Sequence, residues 1–156
     1  MDEVDRTLLR TLAANARSTG AALAAASGVS ESTVSLRLRA LQSSGIVRGY
    51  HADVDLDSLG VTVQAFIAVR FVTIAREDIE QFRDDAPGWP GVLSVFNVAG
   101  ADDFLLHVAA RNASDLRDFV IEHLAAHPAV AHTETNLIFD HVPGRGIDHL
   151  LARAPA

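Results

Sequence analysis

The chain contains neither cysteine nor lysine, so all 13 of its basic residues are arginine. Without cysteine there is no disulfide, no thiolate metal site and no cysteine nucleophile. The absence fits a reducing compartment. No apolar run is longer than a strand, and none reads as a membrane span. The N-terminus, MDEVDR, is acidic from its second residue and has neither the basic nor the apolar segment of a secretory signal. These absences lead us to expect a soluble cytoplasmic protein. The 156 residues are 49% hydrophobic and 21% charged, a globular balance. That length suits one ordinary domain or two small ones.

The net charge of −7 is unevenly placed. Residues 1–50 carry six arginines and four acids, giving +2; the remainder carries seven arginines and 16 acids, giving −9. All seven histidines lie in the acidic part. The asymmetry predicts two modules with different partners.

In the first module Val4, Leu8, Leu9 and Leu12 form the stripe of one helix, with Asp2, Glu3 and Asp5 at its positive end. Ser18 or Thr19 caps a second helix, which stops at Gly28. Ser30 caps a third, whose Val34, Leu38 and Leu41 converge on one side. Its opposite side presents Ser32, Leu36, Arg39 and Ser43, with Thr33, Ser35 and Arg37 on the flanks. Two helices joined by a short turn at glycine, the second with an open hydroxyl and cationic face, form the helix-turn-helix pattern. Short hydroxyls let a helix approach base edges, and arginine reaches phosphate or guanine. Gly45 ends the helix, and Ile46, Val47 and Tyr50 favour a wing or linker strand, with Arg48 beside it as a further phosphate contact.

From Val61 the period becomes two. Val63, Ala65, Ile67, Val69 and Phe71 share one face of a strand, and Phe66, Ala68 and Val72 share the other. A helix at 76–86, a strand at 92–99, a turn at 100–103 and a strand at 104–110 follow. Ser114 is expected to cap a helix running to about Ala126, before a last strand at 130–142. The order β-α-β-β-α-β is that of a ferredoxin-like sandwich, giving an α+β chain. Its uncovered apolar sheet face calls for a second copy. The expected division is a helix-turn-helix domain at 1–52, a linker at 53–61, the sandwich at 62–142 and a tail at 143–156.

The stretches DEVDRTLLRTLAANAR, GVSESTVSLRLRALQSSGIVRGY, VAGADDFLLHVAARNASDL and HPAVAHTETNLIF, in this order, resemble the Lrp/AsnC (feast/famine) family of prokaryotic transcription factors. They span Asp2 to about Phe139. The resemblance implies a winged helix-turn-helix followed by the βαββαβ sandwich. It implies dimers that assemble into octamers or other higher oligomers on double-stranded DNA, and control by an amino acid or related small molecule. Ser30, Ser32, Thr33, Ser35, Leu36, Arg37, Arg39 and Arg48 would then meet DNA. Gly100, Asp102, Asp103 and Phe104 match the hairpin of the effector site, and Thr133 and Thr135 match its facing strand. Two positions depart from the pattern. Family members often carry a basic residue in place of Leu36, and an apolar or aromatic one in place of Asp102. The extra carboxylate of Asp102 points to a cationic effector.

No catalytic set, metal site or cofactor fingerprint stands out. His123 and His127 are four apart on one helix, but with no zincin glutamate they read as surface histidines. Two other readings use the same architecture. One is a sirohaem-decarboxylase-like enzyme, which a coloured preparation would reveal. The other is a sensor whose third helix no longer reads DNA.

Overall fold

The computed structural model describes residues 1–72, 75–144 and 146–151. Contacts divide the chain into two compact units. One is Met1–Asp53 with the segment from Val142 onward; the other is Val54–His141.

The first unit is trihelical: α1 (Glu3–Ala14), α2 (Gly20–Ser27) and α3 (Glu31–Ser43). Asp2 and Asp5 close a reciprocal capping box at the start of α1. Thr19, rather than Ser18, caps α2 by accepting from the Ala22 N–H at 3.2 Å. Gly28 ends α2 at φ 70°, a left-handed conformation that glycine adopts without a Cβ clash. Leu8, Leu12, Leu23 and Val34 form the buried core, flanked by Val4, Ala24, Val29 and Leu38. The expected wing strand does not form in the chain. Residues 46–50 find no strand to pair with, and the Val47 N–H bonds back to the Leu41 carbonyl at 3.1 Å. A single turn, α6 (Asp148–Leu151), lies against α1. Residues 145 and 152–156 of the expected tail lie outside the described residues.

The second unit contains β1 (Val63–Phe71), α4 (Arg76–Asp85), β2 (Val92–Asn97), β3 (Phe104–Ala110), α5 (Ala113–Phe119) and β4 (Val130–Ile138). The strands form one antiparallel sheet in the order β2-β3-β1-β4, as in a ferredoxin-like sandwich. Alternation on β1 sends Ala65, Ile67, Val69 and Phe71 into the core. There they meet Phe82 of α4, Leu116 and Phe119 of α5, and Phe104, Leu106 and Val108 of β3. Phe82 lies 4.7 Å from Phe104 and 5.3 Å from Phe71, centroid to centroid, at the centre of the aromatic cluster.

The cap of α5 differs from expectation. Asn112, two residues before Ser114, accepts from the Asp115 N–H at 2.9 Å, so the helix starts at Ala113. Its continuation, Val120–Ala125, is a π-helical turn. Its C-terminal histidines are not free on the surface. His123 stacks on Trp89 at 5.0 Å, and His127 packs edge-on to Phe82 at 5.5 Å.

Among the described residues of this unit, no helix covers the sheet face opposite α4 and α5. Cross-strand register places Phe66, Ala68, Leu105, Phe96 and Ile138 on it. Phe66 is 36% exposed and Phe96 47%.

Candidate functional site

The cap of α3 is a cluster of hydroxyls. Ser30 Oγ accepts from the Thr33 N–H at 3.2 Å and lies 2.9 Å from both Ser32 Oγ and Thr33 Oγ1. This holds the first turn rigid and leaves the free amides of the helix end facing outward. Ser32, Ser35, Leu36 and Arg39 are exposed along one side; Val34 and Leu41 are buried on the other. Leu36 is 62% exposed. Arg39 directs its Nε to its own helix, 3.3 Å from the Ser35 carbonyl. Arg48 is exposed just beyond the helix.

Arg37 occupies a different place from its neighbours. Its wheel position lies next to the buried stripe, and its Nη1 stands 2.9 Å from Asp2 and 3.4 Å from Asp5. Both carboxylates sit at the start of α1. Asp2 is held below the usual carboxylate value, first by the Asp5 backbone N–H and then by Arg37. The sequence placed Arg37 on a flank but could not show which carboxylates that flank would meet. The structure brings Ser30, Ser32, Thr33, Ser35, Leu36 and Arg39 onto one surface and ties Arg37 to α1.

The six residues of the second candidate site are held differently. At the 100–103 turn, the Asp103 N–H donates to the Val69 carbonyl at 2.9 Å. Its carboxylate Oδ2 accepts from the Phe71 N–H at 2.8 Å. Arg70 grips the same turn from β1, with Nε 2.7 Å from the Ala101 carbonyl and Nη2 3.3 Å from Asp102 Oδ1. The Asp102 charge is therefore paired inside the chain. Phe104 is fully buried in the core. It anchors the hairpin from below and has no surface to offer a ligand. Val69 pairs with Phe104 on one side and Thr133 on the other, so a whole strand separates the hairpin from Thr133 and Thr135. Gly100 and Thr135 are exposed, and Thr133 is half-buried. A cavity of about 440 Å³ lies elsewhere in the same unit, between Val61, Gly91, Arg111, Phe119 and His123.

Arg70 was the residue missed. Its signal was an arginine next to the end of a largely apolar strand, where a charge has to find a partner at the rim. Among the described residues, no group of three or more His, Asp and Glu side chains is arranged to hold a metal ion. Nor, among the described residues, is any helix long and apolar enough to cross a membrane.

Residues 1–48 match the model of the winged helix-turn-helix DNA-binding domain, and residues 64–146 match that of the Lrp/AsnC ligand binding domain. The chain is 43% identical over 144 residues to the HTH-type transcriptional regulator AldR of Mycolicibacterium smegmatis, covering 92% of this chain and 84% of that protein. It is 34% identical over 137 residues to the leucine-responsive regulatory protein of Rhizobium meliloti, covering 88% of each. A transcriptional regulator of Neisseria meningitidis, solved as its complex with L-methionine, superposes with a TM-score of 0.84 at 30% identity. That match spans 96% of this chain and 99% of the other. The chain belongs to the Lrp/AsnC family of DNA-binding transcriptional regulators, with its helix-turn-helix first and its ligand-binding domain second.

Proposed function

We propose that this regulator reads its operator with the face of α3 formed by Ser30, Ser32, Thr33, Ser35, Leu36 and Arg39, with Arg48 on a flanking phosphate. The open hydroxyl, leucine and arginine face on an otherwise acidic chain is the observation that carries this reading. Arg37 supports the face from behind. The effector is an amino acid or related small molecule. The 100–103 hairpin and the Thr133–Thr135 edge each supply part of its site, and two copies complete it. The open sheet face, with Phe66, Phe96 and Leu105, packs against a second copy. Dimers then assemble into a higher oligomer, an octamer in the form the family resemblance implies. Several helix-turn-helix units act together in it, so weak individual contacts gain by multivalency. The chain acts in the cytoplasm, as a binder and not as an enzyme.

Fluorescence anisotropy on DNA from upstream of the chain's own gene tests this reading. Titrating salt and then each amino acid should show tight binding that weakens steeply with salt and exceeds binding to random DNA. One amino acid should shift the curve. No binding at any salt, with or without amino acids, would remove the regulator assignment of α3. Sedimentation of the wild type and Phe66→Glu tests the dimer face, with dissociation expected for the variant.

A further inference from the structure

We propose that Leu36 recognises the C5-methyl group of a thymine, and that this contact sets the base preference of α3. This role presupposes the DNA-binding reading above. A single exposed leucine ordinarily needs no explanation. Leu36 differs in what surrounds it. It is 62% exposed at the middle of a face whose other members are short hydroxyl side chains and Arg39. The Ser32 hydroxyl is already 2.9 Å from Ser30 Oγ, and Arg39 Nε lies 3.3 Å from the Ser35 carbonyl. Arg37 is turned away to Asp2 and Asp5. Leu36 is therefore the one large apolar side chain presented at the centre of the face.

The chemistry of the major groove supplies one complement to such a group. Every base pair offers hydrogen-bonding atoms there, but only thymine adds a methyl. A leucine set against guanine or adenine would strip water from acceptors and give nothing in exchange. Against a thymine methyl it buries apolar surface on both partners. The preference thus has an attractive and a repulsive side, which is what discrimination requires.

Replacing thymidine by deoxyuridine removes that methyl and leaves the hydrogen-bonding edge intact. A duplex enriched by the wild-type chain from a random library is resynthesised with deoxyuridine at each thymidine in turn, and anisotropy is measured at fixed salt. At one position per half-site, affinity should fall about fourfold, the effect of burying one methyl-sized group. Leu36→Ala should bind the thymidine and deoxyuridine duplexes equally. The position is exposed and alanine favours helix, so the variant should melt with the wild type. Deoxyuridine without effect at every position would overturn the assignment, as would a Leu36→Ala variant that still discriminates. If no duplex is enriched at all, the DNA-binding reading itself fails, an outcome distinct from loss of the methyl effect alone.

Discussion

Arg37 Nη1 stands 2.9 Å from the carboxylate of Asp2, joining the middle of α3 to the first turn of α1. An arginine that looked like a DNA contact is engaged within its own unit. The distinction can be measured, because phosphate contacts release counterions and structural pairs do not. Arg37→Ala should lower the melting temperature by a few degrees, since Asp5, whose side chain is only 11% exposed, loses its cation. The salt slope of DNA binding should stay at the wild-type value. Arg39→Ala should do the reverse, reducing the slope by about one and leaving the melting temperature in place.

Asp103 fastens the 100–103 turn to β1 through the Phe71 N–H. Asp103→Ala leaves that part-buried donor without its acceptor and should destabilise the second unit by about 1–3 kcal/mol. Asp103→Asn keeps an acceptor oxygen and should recover most of the loss. Urea denaturation compares the three chains, and amide exchange at Phe71 should quicken only in the alanine variant.

His107 accounts for a pH dependence. Its imidazole stacks obliquely on Phe66 at 5.0 Å and lies 3.0 Å from Gln64 Oε1. Burial pushes its pKa below the ordinary 6.5, and nearby His141 adds to the shift. The unfolded chain therefore takes up the proton first as pH falls. Stability from this residue is fully present above 6.5 and is lost on acidification below it. A proton NMR titration should place the His107 midpoint below that of the unfolded chain. In thermal melts between about pH 5 and 7.5, His107→Gln should show a shallower pH dependence than the wild type.

Gly91 and Gly28 both have positive φ, yet alanine should affect them unequally. At Gly91 a Cβ would lie 2.6 Å from the Ala109 carbonyl oxygen, which accompanies the 2.8 Å bond from the Ala109 N–H to the Gly91 carbonyl. At Gly28 the same atom meets open space. Gly28→Ala should destabilise by about 1 kcal/mol, the left-handed backbone alone. Gly91→Ala should exceed it by at least about 1 kcal/mol, since backbone must move. Chemical denaturation of both variants decides it.

Much of the architecture was legible because it is local. The hydroxyl caps, the glycine after α2 and the period-two pattern of β1 each depend on residues a few positions apart. Ser114 was misread because Asn112 and Ser114 are both capable caps. The choice depends on which one places its oxygen near the N–H three residues on. The absent wing had the right composition, but a strand also needs a neighbour, and composition does not report neighbours. The site residues were harder to read for the same reason. Arg37 meets Asp2 and Asp5 across 35 and 32 positions, and Arg70 meets Asp102 across 32. Phe104 belongs to a family-like hairpin motif, yet its side chain faces the core because Val69, its cross-strand partner, does.

The π-helical turn after α5 has a consequence for how the chain tolerates changes in length. Leu116 and Phe119 are buried three residues apart, and Phe119 and Leu124 five apart. Five residues on a regular α-helix would carry Leu124 well away from Phe119, whereas the wider turn returns it to the same side. One residue between Phe119 and Leu124 therefore acts as a spacer, keeping two buried side chains in phase across a segment longer than an α-turn. Removing it would leave a spacing of four, which a regular α-helix also returns to the same side, so the wide turn would close to an α-turn with Leu124 still in the core. Exchanging Ile121, which is 56% exposed, for another residue of any size would leave that phase untouched. The segment can thus lose one residue by tightening its turn, whereas a further inserted residue would carry Leu124 off the face of Phe119.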